Sequence, residues 1–406
     1  MTALKNIVVV GGSYCATYLI DALASKVHKT HRIVMIERHS HLQASKQHIF
    51  AFPRITTVPG FAQKAFVPYT NAFHEPQTPR DSVEVVHGVV ESILPGRVVL
   101  ASGEEIEYEF LVMATGTGHP ERPDGGLEMT EKLSSVRSYE ALERRIKEAR
   151  DVVVVGGGAW GIQLAFDTKE FYPDKNVTLV HSRTQLLNRF YPKLHDIVMA
   201  RAVELGVVLV LGQRVKIPPG GFPAAGPSQV ELEDGRTLHA DIAIECVGAV
   251  PLSNPLRSLA PDAIDPKTGY IRVKKTLQID TADRALVKVF AIGDVADTGA
   301  NKAAAPGYGQ AQLVARNIAS MIASGTAQRL EEYEVPVAGI HLSIGLHRYV
   351  TFIDPVDERS EPQVRFTEFE WEGDGRDASE EAKFWYECRC QLIWDTRAPS
   401  VKDYWL

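Results

Sequence analysis

Two glycine-centred turns carry the residue spacing with the clearest chemical use. Gly156, Gly158 and Gly161 fill all three positions of a G-x-G-x-x-G fingerprint, directly after the apolar run Val152 to Val155. A buried strand, a glycine turn and a helix start, in that order, leave free backbone N–H groups and a helix dipole facing one spot, which suits a pyrophosphate. A turn built only for packing uses the same glycines for close approach. The other copy opens the chain, where Ile7 to Val10 runs into Gly11-Gly12-Ser13-Tyr14-Cys15-Ala16. Its fingerprint positions hold Gly11, Ser13 and Ala16. Alanine suits the third place and serine crowds the second, so by itself this copy reads equally as an ordinary strand–turn–helix.

The residue closing the next strand bears on which nucleotide each turn would take. Arg32 to Ile36 ends in Glu37, 26 positions after Gly11, close to the offset of about 20 at which an acid accepts hydrogen bonds from an adenosine ribose. After the second copy, Val177 to Val180 ends in His181-Ser182-Arg183, with no carboxylate. Arg183, with Arg189 nearby, can meet a 2′-phosphate through a charge-assisted pair, and two solvated arginines are the plainer alternative. Val289 to Ile292 runs into Gly293-Asp294, which puts a carboxylate at a strand end where it can accept hydrogen bonds from a polyol. Pro306-Gly307-Tyr308-Gly309-Gln310 opens a helix whose N–H groups can face an electron-rich ring edge. His39, His41 and His48 lack metal-ligand spacing and acidic company, so no metal is expected.

The elements around these turns alternate strand and helix, which predicts an α/β fold: two Rossmann-like dinucleotide-binding domains and a small α+β C-terminal domain. Further strands are expected at Val83 to Val86, Arg97 to Leu100, Phe110 to Ala114, Val207 to Leu211 and Ile242 to Val247. A helix is expected over Ser138 to Ala149. Residues 39–80 read as a loop-rich excursion across one face of a cofactor. Pro120, Pro123, Asp124, Gly125 and Gly126 read as a linker, and Pro218 to Pro223 as a surface loop without chemistry. Four of the five tryptophans follow Glu334, where Phe366 to Trp371 and Trp385 to Trp394 read as strands around an aromatic core or an acceptor-docking surface.

Composition narrows the class. The 406 residues are 45% hydrophobic and 23% charged, enough for two or three domains with sizeable cores. A net charge of -7 implies no general affinity for nucleic acid or an anionic membrane. Four cysteines argue for a reducing compartment. Cys15 and Cys246 read as packing residues, and Cys388 and Cys390 share a strand face, with a redox pair as the alternative reading. No apolar run nears the roughly 20 residues of a membrane span, and the first strand starts too early for a leader peptide. A soluble cytoplasmic protein is expected, with its oligomeric state open.

Taken together, the two dinucleotide units, the Ala114-Thr115-Gly116 closure and Ile292-Gly293-Asp294 resemble the two-dinucleotide-binding-domain flavoproteins. Phe50-Ala-Phe-Pro-Arg-Ile55, Lys64-Ala-Phe-Val-Pro-Tyr69 and Tyr172-Pro-Asp-Lys-Asn-Val-Thr-Leu-Val-His-Ser182 narrow the resemblance to the apoptosis-inducing-factor branch, specifically its ferroptosis-suppressor (AMID)-like NAD(P)H:quinone oxidoreductases. The resemblance implies FAD in a discontinuous domain, residues 1–122 and 256–332, around an NADPH- or NADH-binding domain, 123–255, with 333–406 as the C-terminal domain. By motif position, Gly11, Gly12, Ser13, Ala16, Glu37, Arg38, Arg54, Ala114, Thr115, Gly116, Asp294 and Gln310 would serve FAD. Gly156, Gly158, Gly161, His181, Ser182 and Arg183 would serve the pyridine nucleotide. Lys302 falls near the flavin ring, and Gln163 stands where many relatives carry a glutamate near the nicotinamide. His48 and Tyr308 are acid–base candidates by type. The implied reaction is hydride transfer from NAD(P)H to flavin and on to a quinone-like acceptor. The alternatives are a redox-dependent interaction protein with slow turnover and a fungal-type oxidoreductase acting on a secondary metabolite. Thr2 replaces the myristoylated residue of animal members, and no Cys-x4-Cys redox pair is present, so a disulfide acceptor is not expected. Peripheral membrane contact stays open.

Overall fold

The computed structural model describes residues 4–44, 52–73, 79–118, 130–326, 329–368 and 390–406. β1 (Lys5–Val10) leads through the first glycine turn into α1 (Tyr14–Val27) and returns along β2 (His31–Glu37). The excursion that follows holds β3 (His41–Gln43), α2 (Phe52–Thr57) and β4 (Phe66–Pro68), and β5 (Val83–His87) rejoins the sheet. An antiparallel meander of β6 (Val90–Leu94), β7 (Arg97–Leu100) and β8 (Glu105–Glu107) precedes β9 (Phe110–Met113) and the short β10 (Thr117–Gly118). The next unit runs α3 (Lys132–Glu148), β11 (Asp151–Val155), α4 (Ala159–Phe171), β12 (Asn176–His181), α5 (Lys193–Leu205) and β13 (Val208–Leu211). A hairpin of β14 (Ser228–Glu231) and β15 (Thr237–Ala240) leads to β16 (Ile242–Glu245) and β17 (Val250–Pro251). The chain then returns to the first unit through β18 (Ile271–Arg272), β19 (Val289–Ala291), β20 (Ala296–Asp297) and α6 (Ala304–Ser324). It ends with β21 (Gly339–Ser343), β22 (Arg348–Ile353), β23 (Gln363–Glu368) and a helix at 390–397, α7.

The expected α/β class is the observed one. The first sheet has the order β19-β9-β1-β2-β5 and the second β13-β12-β11-β16, and every pairing within them is parallel. The central strands β1, β2, β9 and β11 are largely buried on both faces, which is why they read as unbroken apolar runs rather than as alternations. Between them, β10 and β17 pair antiparallel, so the two crossings of the chain are tied to each other. α1 and α6 bury Leu19, Ile20, Val314 and Ile318 against β1, β2 and β9 in one core. α4 is buried all round from Gly161 to Thr168, because the second sheet covers one side and the antiparallel β21-β22-β23 sheet packs on another.

Two expectations change. The helix expected over Ser138 to Ala149 begins earlier, at Lys132, and ends at Glu148, with Ala149 as its cap. The strand expected at Trp385 to Trp394 is helical in its described part, 390–394, which belongs to the helix at 390–397. Cys390, Trp394 and Ala398 are all buried, four residues apart, a helical rather than an alternating period. Their partners are Phe61, Phe66 and Val67 of the excursion, and Trp394 Nε1 donates to the Lys64 carbonyl at 2.9 Å. The linker expected at 120–126, the strand end at Trp371 and Cys388 lie outside the described residues. Among the described residues, no helix is long and apolar enough to cross a membrane.

One buried ion pair joins three parts of the chain. Arg54 of α2 meets both carboxylate oxygens of Asp167 on α4 at 3.2 Å. It also donates to Tyr349 Oη on β22 at 2.8 Å and to the Gly345 carbonyl at 3.0 Å. Burial pushes the Asp167 carboxyl up, to about 6, against the pull of Arg54. Removing one partner strands the other charge in the core, so Asp167→Ala should cost about 3–5 kcal/mol in urea unfolding. Arg54→Met/Asp167→Leu should recover a large part of that loss. A single-variant cost no greater than that of a surface ion pair would refute this account of the junction.

Candidate functional site

The two glycine turns share their backbone hydrogen bonds. Gly11 N–H donates to the Ile36 carbonyl and Gly156 N–H to that of Val180, each at 2.8 Å; Ala114 and Cys246 donate back to Val10 and Val155. Both glycines have positive φ, +106° and +118°, and a Cβ on either would overlap the carbonyl of Ala114 or Cys246. These positions therefore require glycine.

Both turns open into one cavity of about 1490 Å³, which the N-termini of α1, α4 and α6 all reach. None of the three helices has a side-chain hydrogen bond at its N-cap, which is Ser13, Gly158 and Ala303 respectively. Their first-turn N–H groups are left for a ligand, and their dipoles favour an anionic one. At Gly158 a Cβ would meet nothing within 4 Å, so the space beside the second turn is kept free by the missing side chain. This is the cradle a dinucleotide pyrophosphate needs, and the residues present fit both FAD and a pyridine nucleotide.

Most of the candidate residues converge here. Gly11, Gly12, Ser13, Glu37 and Arg38 line the cavity on one side, and Gly156, Gly158, His181, Ser182 and Arg183 on the other. Ala114, Thr115 and Gly116 line it between them, where Thr115 Oγ1 donates to the Leu252 carbonyl at 2.7 Å. Glu37 accepts hydrogen bonds from Gly12 N–H and from His39, through its backbone at 3.0 Å and its ring at 2.7 Å. Burial alone would raise the Glu37 pKa, but those bonds outweigh it and hold the carboxylate below its ordinary range. Asp294 and Lys302 also line the cavity. Lys302 Nζ donates to the Ala296 carbonyl and lies 4.5 Å from the centre of the Tyr270 ring. Burial lowers its pKa, while Asp294 and Asp297 oppose that shift.

Other candidates lie elsewhere. Ala16 and Gly161 sit behind the turns: Ala16 is fully buried in the core, and a Cβ on Gly161 would overlap the Gly156 carbonyl. Gln310 does not line the cavity but braces its wall. Its Oε1 accepts from Gly293 N–H at 2.7 Å and its Nε2 donates to Thr298 Oγ1 at 3.1 Å. Arg54 is corrected to the buried junction with Asp167. Gln163 is likewise absent from the cavity wall; it is buried against β21 and donates to Ser343 Oγ at 2.8 Å. Tyr308 is half-exposed on α6 and packs edge-on against Tyr18, outside the cavity. His48 lies outside the described residues.

Sequence reasoning passed over several wall residues. Tyr69 donates to the Gly12 carbonyl at 2.9 Å, and burial first, then the nearby Glu37 charge, keep its phenol protonated. Gly220, Gly221 and Phe222 come from the loop read as having no chemistry. Phe222 N–H is anchored to Glu245 Oε1 at 3.0 Å. Tyr270 also had no sequence signal. Away from the cavity, Asp151, His239 and Asp241 group potential ligand atoms within 4.8 Å. Asp241 already accepts from the Arg150 and Asp151 N–H groups, at 2.8 and 2.9 Å, as a strand-end cap.

A family model described as pyridine nucleotide-disulphide oxidoreductase matches residues 5–318. Fe-regulated protein 8 of Mycosarcoma maydis is 35% identical over 370 residues, covering 85% of this chain and 88% of that protein. Ferroptosis suppressor protein 1 of Taeniopygia guttata is 30% identical over 347 residues, covering 84% and 86%. Among solved structures, the sulfide:quinone oxidoreductase of Aquifex aeolicus superposes with a TM-score of 0.70 at 18% identity, covering 97% of this chain and 91% of that one. At that identity the likeness concerns the fold.

Two measurements probe the cavity. Gly158→Ala should leave stability within about 0.5 kcal/mol of the parent and weaken NADPH binding about tenfold or more by calorimetry. Gly161→Ala should instead lower the melting temperature through a clash costing about 1–3 kcal/mol. Parent-like NADPH affinity in Gly158→Ala would exclude the cradle. The depressed Glu37 pKa sets a pH window: its stabilising contribution is complete above the ordinary value of 4.5 and is lost as pH falls through the lower folded value. The stability gap between parent and Glu37→Gln should therefore close in acid, as read by unfolding across a pH series.

Proposed function

The chain belongs to the pyridine nucleotide-disulphide oxidoreductase family, in the branch of ferroptosis suppressor protein 1, and from that premise we propose how this FAD- and NAD(P)H-dependent oxidoreductase divides its work. The first turn holds the FAD pyrophosphate, with Glu37 on the adenosine ribose and Asp294 on the ribityl chain. The second turn holds the pyridine nucleotide. One observation carries this reading: both uncapped turns open into the same cavity, with the start of α6 between them. The division into 1–122 with 256–332, 123–255 and 333–406 is part of the proposal, supported by the sheet memberships of β1 to β9, β19 and β11 to β16.

FAD, when bound, takes a hydride from a reduced nicotinamide and passes electrons on in pairs or singly. The chain supplies position and electrostatics. Lys302 puts a cation on the wall, held by the Ala296 carbonyl and close to Asp294, Asp297 and Arg189; it stabilises negative charge arriving at that wall. Gln310 fixes the Gly293-Asp294 turn to α6, so the carboxylate keeps its place. Tyr69 closes the other wall through its hydrogen bond to the Gly12 carbonyl.

The acceptor in this reading is a quinone-like molecule. The resemblance to NAD(P)H:quinone oxidoreductases suggests it, and the thiol chemistry supports it over a disulfide. Among the described residues, no two cysteines pair with each other as a dithiol. Burial pushes the Cys246 thiol up to about 12, far from the reactive thiolate range. In anaerobic titration, NADPH or NADH should bleach the flavin band, and a quinone should restore it faster than oxygen or a disulfide. Fastest recovery with the disulfide would overturn the acceptor assignment, and no bleaching with either nucleotide would overturn the cycle.

A further inference from the structure

The two turns match in path and differ in what closes the strand beside them. After β2, Glu37 accepts from Gly12 N–H; after β12, His181 Nδ1 accepts from Gly157 N–H at 3.1 Å. The two residues hold the same place, 25 and 24 positions after their glycines. A carboxylate has lone pairs left over for the two hydroxyls of a ribose. Neutral imidazole has a single acceptor nitrogen, and here the Gly157 N–H consumes it. The ring is therefore the Nε2–H tautomer, and Nε2 is buried without a hydrogen-bond partner among the described residues. The His181 ring therefore has no acceptor left for a ligand at this strand end.

The neighbouring residues extend that asymmetry. Gly212 N–H donates to the Arg183 carbonyl and Gln213 N–H to that of His181, both at 3.0 Å, which pins the strand end beside the cavity. Ser182 and Arg183 are exposed there. Arg183 Nη1 donates to the neutral Asn188 Oδ1 at 3.1 Å. Among the described residues, no carboxylate forms an ion pair with Arg183, so its charge is not spent within the protein.

We infer that the second turn selects NADP(H) over NAD(H): Arg183 and Ser182 grip the 2′-phosphate, and His181 withholds the acceptor that an unphosphorylated ribose would use. This rests on the second turn being the pyridine-nucleotide site. Glu37 has the converse effect at the first turn, where its negative charge would repel a 2′-phosphate and admit the plain ribose of FAD.

The test uses flavin-loaded protein and two adenosine half-molecules, 2′,5′-ADP and 5′-AMP, in calorimetry. The parent should bind 2′,5′-ADP about tenfold or more tightly than 5′-AMP, the scale of one charge-assisted pair. Arg183→Ala should bring the two within about threefold while 5′-AMP binding stays as in the parent. His181→Glu should reverse the order. Retention of yellow flavin and an unchanged melting temperature establish that each variant is folded. Equal parent affinities would overturn the selectivity and leave the site reading standing. Failure of both half-molecules to bind, together with no bleaching by NADPH, would overturn the selectivity and the site reading together.

Discussion

The structure depends on one repeated steric constraint: each first fingerprint glycine presses its α-carbon against a carbonyl of the neighbouring strand. Gly11 does so against Ala114 and Gly156 against Cys246, both in backbone conformations that L side chains avoid. The close approach lets the chain turn at once from the strand into a helix, and so fixes where α1 and α4 begin. Because both helices then start at the cavity, their uncapped N–H groups and dipoles point into it without any dedicated side chain. The core under each turn keeps that geometry: Ala16 and Ile20 lie beneath the first turn, and Ile162 and Ala165 beneath the second.

Onto this doubled frame the chain writes different electrostatics. The first strand end carries a carboxylate that its hydrogen bonds keep ionised, and the second carries an imidazole. The backbone hydrogen bonds that shape the two turns are equivalent, while the residues closing the adjacent strands, Glu37 and His181, differ. Lys302 and Asp294 return from far along the sequence to stand between the two halves. That placement follows from β19 joining β9 in the first sheet.

Local chemistry was therefore legible in the sequence, and long-range pairing was not. Buried parallel strands announce themselves as β-branched runs, and the glycine spacing and Glu37 need only local offsets. Arg54 lies within the excursion, but its carboxylate partner is 113 positions away and has no local signature. Gln163 occupies a cofactor-like position in the motif, yet α4 is covered on every side, so Ser343 claims it. Phe222 reaches the cavity only because Glu245 anchors its loop. The period around Trp394 read as a strand because aromatic residues dominate it; its partners in the excursion decide that it is a helix.

The layout of the sheets also sets an order of assembly. The second sheet is contiguous in sequence, from β11 to β16, and can form as soon as it leaves the ribosome. The first sheet waits for β19, which pairs with β9 across more than 170 residues. The excursion wall waits longer still, for Trp394 and Arg397, the latter clamping Asp21 of α1 at 2.7 Å and the Ala72 carbonyl at 3.3 Å. A nascent chain thus presents a finished second turn well before it can enclose anything at the first. The first turn is therefore walled by contacts that the chain supplies last, from its described residues 390–406.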